Sequence, residues 1–297
     1  MYCNIKKSKT PSNTLPAIVF SVPALLIYTI FMIVPILASV YISMTKWNGM
    51  SPSVFIGIRN FTSLITSTDF WASIKNTVIL LILSVGMQVP VALFLAYLLY
   101  RTPKMLRTCR AIYYMPAAIS TAVIGIMFGL LLNSDLGPIN HVLRNIGLGI
   151  FAKSWLSDKQ TVLPIVCLCM IWQFVGYHMV IILAGMLSIP PEMIESAALD
   201  GASSPCMFFH IIIPQCKGML EVCMMLAIVG SFKAFDIPYM MTWGGPGTSS
   251  TFLAIFMFKT AFLKADLGKG TAIGIIILVL ALIGTQINNR IFHAREK

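Results

Sequence analysis

Asn76-Thr-Val-Ile-Leu-Leu-Ile-Leu-Ser-Val-Gly-Met-Gln-Val-Pro-Val-Ala-Leu-Phe-Leu-Ala-Tyr-Leu-Leu-Tyr100 runs for 25 residues without a charge. About 20 apolar residues suffice for a helix to cross the hydrocarbon of a bilayer. Arg101, Lys104, Arg107 and Arg110 follow at once. An apolar run of that length, closed by clustered cations, is the pattern of a membrane span with its cytosolic flank.

Five more stretches repeat it. Pro16–Met44 and Ala111–Asn133 carry no charge, and Gln160–Ser188 has only His178. Met219–Thr242 is apolar apart from Glu221, Lys233 and Asp236, and Gly270–Asn289 is uncharged. The first run has 29 residues, far beyond the roughly 7–15 of a signal peptide's apolar core, and is read as a retained span. Pro16, Pro23 and Pro35 are tolerable within it, because neighbouring helices can satisfy the freed carbonyls. The expected fold is therefore all-α, a polytopic membrane protein with six transmembrane helices.

Composition agrees. The 297 residues are 58% hydrophobic and only 10% charged, with a mean hydropathy of +0.86. A soluble domain is about a quarter charged, so this chain lacks the polar residues to cover a water-facing surface. The net charge of +11 sits at the ends of the apolar runs and not in patches interleaved with aromatics, which argues against nucleic acid.

With the N-terminus inside, the inner segments 1–15, 101–110, 189–217 and 290–297 hold 11 Lys and Arg in 62 residues. The outer segments 45–75, 134–159 and 243–269 hold 9 in 84. The bias places both termini in the cytosol. Met1–Leu15 contributes Lys6, Lys7 and Lys9. Within the last outer segment, Thr251–Phe262 is apolar but too short to cross, which suggests an interfacial or re-entrant helix.

Cys3, Cys109, Cys167, Cys169, Cys206, Cys216 and Cys223 all fall in spans or inner segments, so no disulfide framework is expected. Cys167 and Cys169 have the wrong spacing for a redox pair and read as small buried residues. No Gly-x-x-x-x-Gly-Lys-Ser/Thr loop, zinc helix or His/Cys ligand cluster occurs. Gly268-Lys-Gly-Thr271 comes nearest to the phosphate loop, but Gly270 stands where Ser or Thr should. Neither ATP hydrolysis nor metal chemistry is expected of this chain, and no cofactor.

Function is read from the inner loop Ser188-Ile-Pro-Pro-Glu-Met-Ile-Glu-Ser-Ala-Ala-Leu-Asp-Gly-Ala-Ser-Ser-Pro205. Pro191 suits a first helical turn, Glu192 the positive end of the helix dipole, and Gly201 the left-handed position that ends a helix. A short cytosolic helix over 191–200 is predicted. Ile194, Ala197, Ala198 and Gly201 recur at helical spacing as a stripe of mostly small residues that another backbone can approach. So short a helix is not stable alone and must pack, on the chain's own loops or on a second protein.

Glu195-Ser-Ala, three residues, Gly201, nine residues, then Ile211-x-Ile213-Pro214 resembles the EAA loop of binding-protein-dependent ABC permeases. That pattern reads E-A-A, G, then I-x-L-P at the same spacing; Ser196 and Ile213 are the departures. Ala184-Gly-Met-x-x-Ile-Pro-Pro-Glu192, Asp200-Gly-Ala-Ser203, Phe232-Lys-Ala-Phe-Asp236 and Thr242-Trp-Gly-Gly-Pro246 resemble the carbohydrate-uptake branch, the maltose and glycerol-phosphate type. Pro23-Ala24, Pro35 and Trp47-Asn48-Gly49 resemble its first span and outer segment.

The resemblance implies a type I importer permease fold over 76–292, after an N-terminal portion 1–75 and before a tail 293–297. It also implies a permease of the cytoplasmic membrane in a bacterium or archaeon, embedded in lipid beside a second, non-identical permease. Two cytosolic ATPase subunits, which hold the ATP and magnesium, and an outer solute-binding protein complete the assembly. Glu195, Ser196, Ala197, Asp200 and Gly201 become the residues that couple to the ATPase. The substrate implied is a sugar or oligosaccharide, with glycerol-phosphate or another polar solute as the alternative. An amino-acid or peptide permease, an ion-coupled secondary transporter and a membrane enzyme fit less well. The second of these needs mid-membrane ion sites beyond Lys233, Asp236 and His178, and the third a nucleophile or metal constellation.

For the substrate path, Lys233 and Asp236 stand three apart within a span, where they can pair with each other or line the path. Phe232, Phe235, Tyr239 and Trp243 recur at helical spacing, either as packing or as a surface for sugar rings. Trp172, Tyr177 and His178 form a second patch in the fourth span, with His178 a hydrogen-bonded interior residue or a proton relay. Gly244-Gly-Pro-Gly247 is an outer turn, either closing the span or facing the binding protein.

Overall fold

The computed structural model describes residues 14–102 and 106–293. The basic tail with Cys3, Lys6, Lys7 and Lys9, the loop cation Lys104, and Arg295 and Lys297 lie outside the described residues. Five helices are long and apolar enough to cross a membrane: Ser21–Ser43, Thr68–Arg101, Val162–Leu187, Lys217–Thr242 and Leu267–His293. A sixth crossing is made by two helices in series, Leu106–Ala118 and Thr121–Leu131. The all-α, six-span expectation holds, with corrections to three spans.

The third span is not the continuous helix expected over 111–133, because its two halves meet at 89°. Pro116 has no N–H to donate and its ring crowds the carbonyl four residues back. Ser120 is extended, with ψ of 130°. The fifth span breaks as well: one helix runs Lys217–Phe232 and the next Asp236–Thr242. The second span starts earlier than expected, at Thr68, where the Ser67 hydroxyl accepts from the Phe70 N–H at 3.4 Å and Asp69 faces the dipole.

The fourth span, Val162–Leu187, is the central post. Met179, Ile182, Leu183 and Met186 are wholly or almost wholly buried on it against Val89, Ala92 and Ala96 of the second span. Close approach to the third span depends on Gly176: a Cβ there would lie 1.8 Å from the Tyr113 carbonyl oxygen. The first span packs little over its length and meets the last span near its outer end. There a two-residue antiparallel hairpin pairs Thr45 with Phe55 and Lys46 with Val54. Asn60, itself buried, donates to the carbonyls of Ser43 and Thr45 at 2.8 Å each and ties the outer segment down.

Residues 251–262, expected to be interfacial or re-entrant, form a helix, Leu253–Leu263. It packs inside the bundle: Phe252, Leu253 and Ile255 have no exposed surface.

Candidate functional site

The two span breaks face each other across the bundle. Residues 121–131 of the third span lie on 236–242 of the fifth, with Gly125 as the point of closest contact. A Cβ on Gly125 would meet the Ile237 carbonyl oxygen at 3.0 Å and Met240 Cβ at 2.8 Å. Where the helices start, the Thr121 hydroxyl donates to the Asp236 carboxylate at 2.6 Å. Gln173 of the fourth span donates to the Ile119 carbonyl at 3.2 Å, satisfying backbone that the third-span break sets free.

A cavity of about 270 Å³ opens beside these breaks. Lys233, Asp236 and Thr121 are on its wall, with Tyr177 and His178 from the fourth span. Ser84, Gln88 and Ser231 add hydroxyl and amide groups, and Leu80, Met170 and Phe174 are among its apolar lining. It is a mostly apolar hollow with a few convergent polar groups, the usual form of a small-molecule site.

Asp236 and Lys233 do reach this one site, but not as the pair their spacing allowed. The helix break separates them, and among the described residues no ion pair joins them; Asp236 turns to Thr121 instead. His178 is 4% exposed. Its Nδ1 lies 3.0 Å from the Phe174 carbonyl and 2.9 Å from Gln88 Nε2. Either Nδ1–H donates to that carbonyl or the Gln88 amide donates to a bare Nδ1. Its Nε2 is buried without a partner, and a buried polar atom left so is a place where a ligand or ordered water can bond.

The aromatic series divides. Phe235 stacks on Tyr239 at 4.8 Å between ring centroids, and Tyr239 meets Trp243 at 4.8 Å. Phe258 closes against both Phe235 and Tyr239. This ladder reaches from the cavity wall at Phe235 to Trp243, which is 62% exposed. Phe232 is not part of it; its ring is buried against the last span with Ile273 and Ala272. Trp172 packs edge-on against Phe128 and does not line the cavity.

The outer turn is built into the bundle. Trp243, Gly244 and Gly247 all have positive φ, and the Gly245–Pro246 peptide is cis. The Thr251 hydroxyl donates to the Gly244 carbonyl and the Ser250 hydroxyl to that of Gly245, each at 2.7 Å. Asn76 of the second span donates to the carbonyls of Thr248 and Thr251. Asn76, Gln88 and Thr121 were missed from sequence; their only signal was polarity at the edge of, or inside, apolar runs.

The inner loop forms the helix Pro191–Leu199, one residue shorter than expected. Its end is a complete Schellman motif: Gly201 N–H donates to the Ala198 carbonyl at 3.1 Å and Ala202 N–H to that of Ala197 at 3.0 Å. Gly201 has φ of +81°, and a Cβ on it would meet nothing within 4 Å. No residue of the helix is buried, and Leu199 is 89% exposed. The small-residue stripe is not one face: Ile194 and Ala197 turn partly inward, while Glu195, Ala198 and Gly201 are exposed. The Ser196 hydroxyl donates to the Glu192 carbonyl. Among the described residues, then, the chain's own loops do not cover this helix.

Behind it, Phe208 lies 4.4 Å from Tyr97 of the second span, and the Tyr97 hydroxyl donates to the Ser204 carbonyl at 3.4 Å. The loop is thus fastened where the second span ends. Among the described residues no group of three or more His, Cys, Asp or Glu gathers as a metal site.

Comparison with known proteins identifies the architecture. The "Probable ABC transporter permease protein" of Pyrococcus horikoshii is 36% identical over 274 residues, which is 92% of this chain and 94% of that one. The trehalose/maltose transport system permease protein of Thermococcus litoralis is 30% identical over 275 residues, covering 92% of each. A chain from the crystal structure of a bacterial alginate ABC transporter in complex with alginate pentasaccharide-bound periplasmic protein superposes with a TM-score of 0.83 at 23% identity. It covers 96% of this chain and 99% of that one, and shows the shared fold. The profile described as "Binding-protein-dependent transport system inner membrane component" matches residues 88–296, and the chain belongs to that family.

Proposed function

We propose that this chain is the permease subunit of an ATP-driven, binding-protein-dependent importer that carries a sugar or oligosaccharide across the cytoplasmic membrane of a bacterium or archaeon. One observation carries the reading: a helix at 191–199, held by a Schellman cap and a fastened loop, projects with no residue buried. A helix of nine residues needs a partner, and the family supplies one of the right kind, a separate ATPase subunit.

Glu195, Asp200 and Gly201 would face that ATPase, with Ser196 and Ala197 holding the helix and its seat. ATP and magnesium would bind there and not on this chain. A second permease would complete the path, and a solute-binding protein would dock outside. Both termini would lie in the cytosol.

The cavity at the span breaks is where the solute would pass. Lys233, Asp236 and Tyr177 offer hydrogen bonds to hydroxyls, and Phe235 offers a ring face. The names of the trehalose/maltose and alginate systems support a glycan as cargo.

The test is uptake into liposomes carrying the complete complex and its binding protein. Uptake that requires ATP and survives collapse of the proton gradient is expected. Uptake driven by an ion gradient without ATP would refute the reading.

A further inference from the structure

A second hollow, of about 660 Å³, runs between the Leu106–Ala118 helix and the fourth span. Its two walls differ in chemistry. Arg107, Arg110 and Tyr114 line it from one helix, at positions that share a face, while Val180 and Ile181 of the fourth span supply an apolar wall. Tyr177 stands at its border with the central cavity, lining both.

Arg107 and Arg110 lie toward the same side of the membrane as the 191–199 helix. Arg101 ends the second span, and Tyr97, one turn earlier, touches both Ser204 and Phe208 of the inner loop. Arg107 follows six residues after Arg101. The apolar wall is formed by Val180 and Ile181 of the fourth span, opposite the arginines.

Neither Arg107 nor Arg110 has a carboxylate within ion-pair distance among the described residues, and Asp and Glu are absent from the whole stretch 70–134. A cationic wall facing an apolar one, near the start of a span, matches a molecule with an anionic head and a hydrocarbon tail. Basic hollows between spans at the cytosolic surface hold such headgroups in general. Guanidinium groups suit phosphate because their fork can donate two parallel hydrogen bonds.

We propose that this groove binds an anionic phospholipid, its phosphate on Arg107 and Arg110 and an acyl chain along Val180 and Ile181. Lipid seated there forms part of the wall beside Tyr177, so its occupancy bears on the cytosolic mouth of the transport path.

The complete complex, purified with its ATPase and second permease, is placed in phosphatidylcholine nanodiscs and titrated with fluorescent phosphatidylglycerol. Saturable binding of phosphatidylglycerol, absent for a labelled phosphatidylcholine probe, is expected. The Arg107→Ala/Arg110→Ala pair should weaken it about twenty- to thirtyfold, the product of roughly fivefold for each arginine near a membrane surface. Arg107→Lys/Arg110→Lys, which keeps both charges, should retain most of the binding and guards against an alanine pair that fails to assemble. Equal binding of the two lipids by the unaltered complex would overturn the proposal. So would an assembled alanine pair that binds as the parent does, or cross-linking of the partner permease over Arg107 and Arg110.

Discussion

At the scale of single residues, the tightest demand in the molecule is at Gly176. Any side chain there must displace the Tyr113 carbonyl, and backbone cannot move aside as a flexible side chain can. Gly176→Ala is expected to destabilise by about 3 kcal/mol or more, at the upper end of overpacking penalties. It should show as a lower midpoint in thermal unfolding of the purified complex; an unchanged midpoint would contradict the packing described.

Thr121 and Asp236 make a second case. Their 2.6 Å bond links the two broken spans beside the cavity. Thr121→Val removes the donor and keeps the shape, and should cost about 0.5–1.5 kcal/mol, since water can take the donor's place at the exposed Asp236. Because the bond also sets the cavity wall, transport by that variant should fall more than its thermal midpoint predicts. A loss of stability with uptake intact would reduce the bond to scaffolding.

Cysteine chemistry separates in the same way. Cys216 is fully buried, and burial pushes its thiol pKa up, so its reactive thiolate becomes scarcer at neutral pH. Cys206 is exposed. In a variant whose remaining cysteines are serine, maleimide should label Cys206 readily and reach Cys216 only after unfolding. Rapid labelling of both would mean the inner loop opens.

Elements are where sequence reading succeeded and failed for identifiable reasons. The spans were legible because absence of charge over twenty or more residues has few other causes. Pro191, Glu192 and Gly201 marked the helix of the inner loop to within one residue, since each has a local backbone reason to stand where it does. The breaks at 119–120 and 233–235 were not legible. Pro116 was visible, but Pro23 also lies within a helix and produces no such bend. Beyond that bend, 121–131 seats on 236–242 through Gly125, a contact between segments over a hundred residues apart that no local signal announces. Once the fifth span breaks, the spacing of Lys233 and Asp236 no longer describes one helix face. The aromatic series splits at the break: Phe235, Tyr239 and Trp243 form one ladder, while Phe232, before the break, packs against the last span.

Gly201 tests this level directly. Its left-handed conformation costs a residue with a Cβ about 1–2 kcal/mol, less for Asn. Among the described residues, nothing lies within 4 Å of the added Cβ. Gly201→Asn should therefore leave insertion and thermal stability near normal while weakening co-purification of the ATPase. Full retention of the ATPase, with normal uptake, would remove Gly201 from the docking surface.

For the whole molecule, the arrangement places its chemistry at two levels. The cavity lies among the span breaks, and the uncovered helix lies beyond the bundle on the side where Tyr97 holds the inner loop. The fourth span connects them: it lines the cavity through Tyr177 and His178, and it leads through Ser188 into the 191–199 helix. If the ATPase docks on that helix, a push there would reach the cavity through the short non-helical link 188–190 and then the fourth-span helix, Val162–Leu187. This is a physical route for coupling, and its strength is a measurable quantity, the change in ATPase rate on adding loaded binding protein.

Leu199 has a consequence beyond transport. A leucine left almost wholly in water at the tip of a stiff helix is harmless in an assembled complex and conspicuous in a solitary subunit. If a partner covers it, copies without that partner would expose it, so in pulse-chase Leu199→Ser should lengthen the life of unpartnered copies while leaving partnered ones unchanged.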